Sequence, residues 1–426
     1  MFLYLLYWLL SPILWILLFP ACLINAKIRH HWLTENRSWK SASKKIKMYG
    51  NGKTVVLFHA ASSGEFEQLQ PVLKEMDRNK FFILQSFFSP TVYTHEKNTK
   101  LADAVCYHPF DFLWSALLFL RRMNIQYYIT TRNDIWPTHL FTAKLMGIHT
   151  VLINSNLYRE SHYRSYFLRS FHQKLLGNFD LILTGSERLK KNLMNLVSGN
   201  KIYITGDSRF DRVLERKKNA ENVLLPNIYS KSRTIVLGSI ISSDYPILFS
   251  GLEAYYSNGQ EDLEKKNHRL IIVPHEINLA NLQRIHHHLS KLGFDVVYYT
   301  EKDKLVESHV VIINRVGILA DLYYYANLSY VGAGFGAGIH SVMEPAIYTN
   351  AISFGPKYHI VDMAVSLADL RLAAVIHSGD DFYTFLTLFD NNEQLNAIRK
   401  GMQDYISKQI LASKMIISTI FTDNET

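Results

Sequence analysis

The chain has 426 residues, 48% of them hydrophobic, and a formal charge of +9. That is enough apolar material for two or three domain cores, which excludes an intrinsically disordered chain. Two cysteines, Cys22 and Cys106, with no Cys-x-x-Cys spacing, argue against a disulfide scaffold and a structural zinc site. The positive charge suits an anionic ligand, an anionic membrane or nucleic acid; no nucleic-acid module is visible and the basic residues are spread along the chain.

Residues 1–26 carry no charged side chain. The run is long enough to cross a hydrocarbon core of about 30 Å. It has no basic region ahead of it and no small-residue cleavage site, so it reads as an anchor rather than a removable signal. Pro12 and Pro20 kink it, and Tyr4, Tyr7, Trp8 and Trp15 suit a membrane interface. Seven Lys and Arg follow between Lys27 and Lys47, against the single acid Glu35. This places residues 27 onward on the cytoplasmic side, near anionic headgroups. A kinked helix lying in one leaflet and a buried helix of a soluble domain are the other two readings.

The next half alternates strand and helix. Strands are expected at 54–61, 81–87, 104–109, 126–130, 149–155, 180–186 and 201–207, with helices between them, for example from about Phe66 to Asp77. Residues 212–232 are polar, hold Pro226 and read as a linker. A second series follows at 234–239, 270–276, 295–300, 309–314, 328–334 and 351–356, and residues 390–421 look helical. Two such series imply an α/β chain with two parallel sheets, each covered by helices. Ligands in such sheets bind outside the carboxyl ends of the strands.

The residues at those ends are the candidates. In 328–345, LSYVGAGFGAGIHSVMEP, a strand breaks into Gly332, Gly334, Gly336 and Gly338, then His340, Ser341 and a helix carrying Glu344. Glycine permits close backbone approach, and open N–H groups at a helix start suit a phosphate. Gly332, Gly334 and Ala337 fit the dinucleotide fingerprint loosely, but no acid follows about 20 residues on. Glu65 begins a helix after strand 54–61. It is either a general base or a first-turn glutamate complementing the helix dipole. Ser62 and Ser63 are candidate caps. Asp134 binds a sugar hydroxyl, orients a neighbour or caps a helix ahead of Pro137. Arg159 and Arg164 follow strand 149–155 and suit carboxylates or phosphates. Ser239 and His275 end strands of the second series.

Five segments, in order, resemble the bacterial Kdo (3-deoxy-D-manno-octulosonic acid) transferases. HAASSGE (59–65) is similar to the family's H-[SA]-V-S-x-G-E, and NDIWPT (133–138) resembles E-L-W-P-N. NSNLYRESHYRSY (154–166) resembles N-A-R-L-S-x-R-S-x-x-x-Y, and TGDSRFD (205–211) resembles T-G-N-x-K-F-D. Residues 336–356 resemble G-G-H-N-x-L-E-x-A-x-x-x-x-P-V-x-x-G-P. The chain departs from the family at Arg132 and Asp134, where the family has two acids. It departs again at Ile318, where the family often has another, and at Pro274-His275-Glu276, which lacks an arginine.

The resemblance implies a GT-B fold, two Rossmann-like domains facing a central cleft. The implied boundaries are an anchor at 1–26, an acceptor domain at 27–215, a linker at 216–232, a donor domain at 233–405 and a returning helix at 406–426. It implies inverting, direct transfer of Kdo from CMP-Kdo to a lipid A precursor in lipopolysaccharide core synthesis. Neither cofactor, catalytic metal nor obligatory protein partner is expected, and the site is the cytoplasmic face of the bacterial inner membrane. By motif, Glu65 is the base. Gly334, Gly336, Gly338, His340, Ser341, Glu344, His275, Ser239 and Arg209 face the donor, and Ser63, Gly64, Asp134, Arg159 and Asp207 the acceptor or cleft. The alternative is another membrane-associated GT-B enzyme with a different nucleotide sugar.

Overall fold

Runs of Val, Ile, Leu and Phe bounded by Gly, Asn and Asp become strands buried on both faces, the pattern of parallel sheets. The computed structural model describes residues 2–132, 134–157, 166–219, 224–409 and 411–421. The chain divides into two units, residues 1–212 with 410–426, and residues 213–409.

Unit 1 carries a seven-stranded parallel sheet. Its strands are β1 (Thr54–Ala60), β2 (Phe81–Phe87), β3 (Ala104–Tyr107), β4 (Tyr127–Thr131), β5 (His149–Ser155), β6 (Leu181–Thr184) and β7 (Ile202–Ile204), in spatial order β3-β2-β1-β4-β5-β6-β7. Alternate residues feed opposite faces. Val56, Phe58 and Ile129 pack with Phe66, Leu69 and Val72, whereas Val55, Leu57 and Tyr128 pack with Trp39, Ala42 and Phe119. Unit 2 repeats the plan with β8 (Arg233–Ile240), β9 (His268–Pro274), β10 (Val296–Tyr298), β11 (Val310–Ile312), β12 (Leu328–Val331), β13 (Ala351–Phe354) and β14 (Ala373–Val375), in order β10-β11-β9-β8-β12-β13-β14. Each sheet reverses its winding once, beside β1 and β4 in unit 1 and beside β8 and β12 in unit 2. The crevice at such a reversal is where doubly wound sheets bind ligands.

Three features differ from the sequence reading. β14 was not expected, because three half-buried residues show no periodicity. The segment read as a linker is helical at both ends, Arg209–Asn219 and Ile228–Lys231, and the division falls within the first of these. Its polar, charged composition concealed an amphipathic helix. The expected C-terminal helix is two, Asn392–Ser407 and Ala412–Phe421. The second belongs to unit 1: Ile416 and Ile420 enter its core, Phe421 stacks 4.3 Å from Phe81, and Asp211 accepts the N–H groups of Leu411 (3.0 Å) and Ser413 (2.7 Å).

The apolar N-terminus forms one helix, α1 (Phe2–Ile24), followed by α2 (Ala26–Tyr49). Residues 6–24 are long and apolar enough to cross a membrane. One face of α1, however, is docked on unit 1. The Tyr7 hydroxyl donates to the Asp111 carbonyl (2.6 Å), and Trp8 Nε1 donates to Thr138 Oγ1 (3.3 Å) and packs 4.6 Å from Phe141. Ser11 is buried, and Trp15 meets Trp32 of α2 at 5.8 Å. These positions share a stripe at helical spacing. Leu9, Ile13, Ile16, Leu17, Phe19 and Leu23 are exposed.

Candidate functional site

β1 ends at Ala60, and Ser62 caps the helix α3 (Ser63–Lys74). Ser62 Oγ accepts from the Glu65 N–H at 3.4 Å, and Glu65 Oε2 accepts from the N–H groups of Ala61 and Ser62, both at 2.9 Å. This capping box fixes the carboxylate at the helix start. Among the described residues, Oε1 has no partner. Glu65 is half-buried, and Ser63 and Gly64 beside it are exposed. A Cβ on Gly64 would meet nothing within 4 Å. The fold does not demand glycine there, so the missing side chain leaves room for a ligand.

β4 delivers Arg132 and Asp134. Asp134 does not cap the following helix; Trp136 stands at its N-cap without a side-chain bond. The Asp134 carboxylate instead lies 2.8 Å from His59 Nε2, which also receives the Trp136 indole N–H at 3.0 Å. His59 continues through Ser86 (3.0 Å) and His108 (3.1 Å from Ser86) to His139. Burial, then the neighbouring imidazoles, hold His108 well below the ordinary histidine range, and burial lowers His139 as well. The Trp136 indole therefore orients His59, the histidine of the first motif, and Asp134 Oδ2 lies beside it without a hydrogen-bond partner among the described residues.

The Asp207 and Arg209 side chains pair with each other, with Arg209 Nε and Nη2 on the carboxylate at 2.8 and 2.5 Å. Burial opposes ionisation of Asp207, but the Arg209 guanidinium, with Arg132 beyond it, holds the carboxyl below its usual range. Where the family has an acid, Arg132 thus supplies a charge complementary to Asp207. Ser208 between them is fully buried. Its hydroxyl donates to the Gln68 carbonyl (2.7 Å) and receives Asn154 Nδ2 (2.8 Å), tying α3 to the ends of β5 and β7. Asn154, at φ +52°, was not singled out from sequence. Arg159, Arg164 and Asn133 lie outside the described residues.

In unit 2 the reversal point holds a cavity of about 340 Å³, lined by Arg216, Ser239, Tyr323, His340, Ser341 and Glu344, with an apolar wall from Leu319 and Ala320. Four of the expected donor residues are therefore together. Ser239, at φ +53°, donates to or accepts from His275 Nδ1 at 3.0 Å, and His275 stacks on His340 with centroids 4.7 Å apart. His340 Nε2 is buried and, among the described residues, has no hydrogen-bond partner. Burial and the His275 ring lower its pKa, so it is a neutral imidazole with an open nitrogen. Arg216, in the segment read as linker, was missed; its guanidinium bridges Asp321 (3.2 Å) and the Gly317 carbonyl (3.1 Å) at the cavity. Ile318, where the family often has an acid, is buried among Tyr323, Leu322 and Val311 and offers no polar atom to the cavity.

The glycine loop is built for a different reason than the sequence suggested. A Cβ on Gly334 would stand 2.5 Å from Gly355 Cα, and one on Gly336 2.5 Å from Ile241 Cδ1, while Gly338 sits at φ +139°. These glycines let the loops after β8, β12 and β13 close on one another. Nor are their amides an open row: Gly336 and Gly338 donate to the Ala333 carbonyl (3.0 and 3.3 Å), Ile339 to Lys357 and His340 to Gly332. Asp244, also missed, is the brace: it is fully buried and accepts from Ile241 N (2.9 Å), Ala333 N (2.8 Å) and the Tyr330 hydroxyl (3.2 Å).

The chain is similar to known proteins along most of its length. A family model described as 3-deoxy-D-manno-octulosonic-acid transferase (kdotransferase) matches residues 30–212. The 3-deoxy-D-manno-octulosonic acid transferase of Chlamydia muridarum is 27% identical over 87% of this chain and 85% of its own. That of Aquifex aeolicus is 26% identical over 73% of this chain and 79% of its own, and that of Rickettsia bellii 21% over 98% of both. Among solved structures, the UDP-GlcNAc 2-epimerase of Neisseria meningitidis covers 87% of this chain and 100% of its own with TM-score 0.59 at 13% identity. That of Methanocaldococcus jannaschii covers 80% and 93% with TM-score 0.53 at 13% identity, a likeness of the two-unit GT-B fold. With its motifs at the carboxyl ends of both sheets, the chain is thus similar to 3-deoxy-D-manno-octulosonic acid transferases along most of its length, and its residues 30–212 match that family's model.

Proposed function

We propose that this glycosyltransferase moves Kdo from CMP-Kdo to a lipid A precursor in lipopolysaccharide core synthesis, with unit 1 binding the acceptor and unit 2 the donor. The observation that carries the reading is Glu65: a half-buried carboxylate at a sheet reversal point, fixed by two backbone N–H groups through one oxygen and open at the other. In the proposed step the acceptor hydroxyl attacks the anomeric carbon of Kdo, the bond to CMP breaks, and the hydroxyl proton passes to Glu65 Oε1. The bonds to Oε2 fix the carboxylate and leave Oε1 to take the proton. Atoms and charge balance without a cofactor.

The donor carries two anionic groups, and the unit 2 cavity offers Arg216 for charge and His340 and Ser341 for hydrogen bonds to phosphate. Glu344 accepts from the ribose hydroxyls. Gly64 gives the acceptor its approach to Glu65. The helix α1 lies in one leaflet: hydrogen bonds at Tyr7 and Trp8 join one end to unit 1 and α2 joins the other, while its apolar face meets acyl chains. The catalytic units then sit on the cytoplasmic face, where Lys40, Lys44, Lys45 and Lys47 meet anionic headgroups.

The test is transfer from CMP-Kdo, generated in situ, to a tetraacyl lipid A precursor, read by mass spectrometry for wild type and Glu65→Gln. Wild type yields a Kdo-lipid; Glu65→Gln binds CMP and yields none. A stable wild type that binds CMP but transfers nothing overturns the donor and acceptor assignment and favours another nucleotide sugar.

A further inference from the structure

Beneath α1 lies a second cavity, of about 210 Å³, which the transfer reaction does not use. Four indoles line it: Trp15 of α1, Trp32 and Trp39 of α2, and Trp114 of the helix Leu113–Met123. Phe112 stacks on Trp114 with centroids 5.1 Å apart and nearly parallel planes. Trp39 donates its N–H to the Tyr107 carbonyl (2.9 Å), so that group is already satisfied outside the cavity.

The one acid in this aromatic box is Glu35, whose side chain is 14% exposed. No cation of the protein neutralises it among the described residues. The nearest titratable group is His31, with Nε2 at 3.8 Å. His31 Nδ1 bonds the Phe88 carbonyl at 2.9 Å, so Nδ1 carries the proton and Nε2 turns a lone pair, not a donor, toward Glu35. Burial keeps His31 neutral down to about pH 4 and pushes the Glu35 carboxyl up to about 8. An acid among four indoles is an arrangement that recognises an ammonium ion: the bound cation draws the carboxyl into its ionised form, and the rings add cation–π attraction.

The surroundings identify its carrier. The elements that line the cavity also present exposed apolar side chains: Ile16 and Leu17 on α1, Leu33 on α2, and Leu118 one turn beyond Trp114. Arg122, one turn further, donates to Asn36 (3.3 Å), itself a lining residue. An ammonium site with an apolar collar and a guanidinium at its rim matches the headgroup of a zwitterionic lipid, ammonium inward and phosphodiester on Arg122. We propose that this cavity binds the primary ammonium headgroup of an ethanolamine phospholipid and so fixes the depth and orientation of unit 1 on the bilayer. The proposal rests on the reading of α1 as a membrane helix.

The experiment is flotation of the full chain with vesicles of constant phosphatidylglycerol content, in which diacylglycerol is exchanged for phosphatidylethanolamine. Expected is binding to every vesicle through α1 and the basic surface, tightened at least fivefold by phosphatidylethanolamine. In Glu35→Gln, and in Trp114→Leu as a second variant should the first fold poorly, the fivefold increment disappears and binding to phosphatidylglycerol remains. An increment retained by both variants, or absent from wild type while vesicle binding persists, overturns the headgroup site alone. No flotation on any vesicle overturns the membrane reading and this proposal with it. If free ethanolamine raises the Tm of wild type but not of Glu35→Gln, with no lipid increment, the site takes a soluble ammonium and the lipid assignment is wrong.

Discussion

Ser62 and Glu65 hold each other in place: the serine hydroxyl accepts the Glu65 N–H, and the Glu65 carboxylate accepts the Ser62 N–H. The proposed base is therefore also a helix cap, and the two roles separate by substitution. Glu65→Gln keeps an oxygen for the Ala61 and Ser62 N–H groups but has no affinity for a proton. Transfer falls by at least 100-fold, with Tm within about 2 °C of wild type. Ser62→Ala removes the reciprocal bond and costs about 1 kcal/mol. Its kcat falls several-fold because the carboxylate loses its fixed position. Thermal melts beside steady-state transfer assays check both.

The Asp244 carboxylate controls the donor cavity at one remove. Asp244→Ala leaves the Ile241 and Ala333 N–H groups buried and unpaired, at a cost on the order of 3 kcal/mol. The loops that carry Ser239 and His340 lose their common anchor, so CMP affinity, measured by calorimetry, drops at least tenfold. Asp244→Asn, which keeps one acceptor oxygen, retains more of both. CMP affinity unchanged in a folded Asp244→Ala would remove the brace role.

Strands and motifs were legible because they are local. The Val-rich run at 54–60 and the HAASSGE segment announce a strand, a cap and a carboxylate within a dozen residues, and Ser239, His340, Ser341 and Glu344 do share one cavity. What was not legible depends on partners far along the chain. Ser208 is buried and bonded to Gln68, 140 positions away. Asp244 is recognisable only once Ala333 is beside it, 89 positions on. Arg216 was hidden by charged neighbours that made a helix look like a linker. Sequence cannot tell backbone-to-backbone approach from backbone-to-ligand approach, so the packing need at Gly334 and Gly336 was not legible.

Two glycine substitutions distinguish those reasons. Gly334→Ala pushes a methyl group against Gly355 Cα, and overpacking there costs about 2 kcal/mol or more. Its effect on transfer follows its effect on stability. Gly64→Ala meets nothing within 4 Å, in a helix turn that favours alanine, so stability stays within about 1 kcal/mol of wild type. If Gly64 is kept bare for the acceptor, KM for the lipid rises at least fivefold while CMP affinity is unchanged. A Gly64→Ala enzyme with wild-type KM would mean that the open space beside Glu65 is not where the acceptor lies.

Glu35 gives the chain a stability profile whose sign can be worked out. Its carboxyl is raised by burial from 4.5 to about 8, so between those values the folded chain holds a proton that the unfolded chain has released. Unfolding then releases a proton, and stability falls as pH rises from about 4.5 to about 8, after which the contribution is constant. Each pH unit in that window amounts to at most about 1.4 kcal/mol. The facing groups do not reverse the trend: His31 is neutral above about pH 4, burial keeps the Cys106 thiol uncharged across the window, and Arg122 is engaged by Asn36. Glu35→Gln abolishes the titration. Its Tm therefore matches wild type near pH 5 and exceeds it by several degrees at pH 8.5, in detergent without ethanolamine lipid. A bound ammonium stabilises the ionised carboxylate, so phosphatidylethanolamine narrows the pH 8.5 difference by raising the wild-type Tm alone. A Tm difference that stays the same from pH 5 to 8.5 would show that Glu35 is ionised throughout and already compensated within the fold.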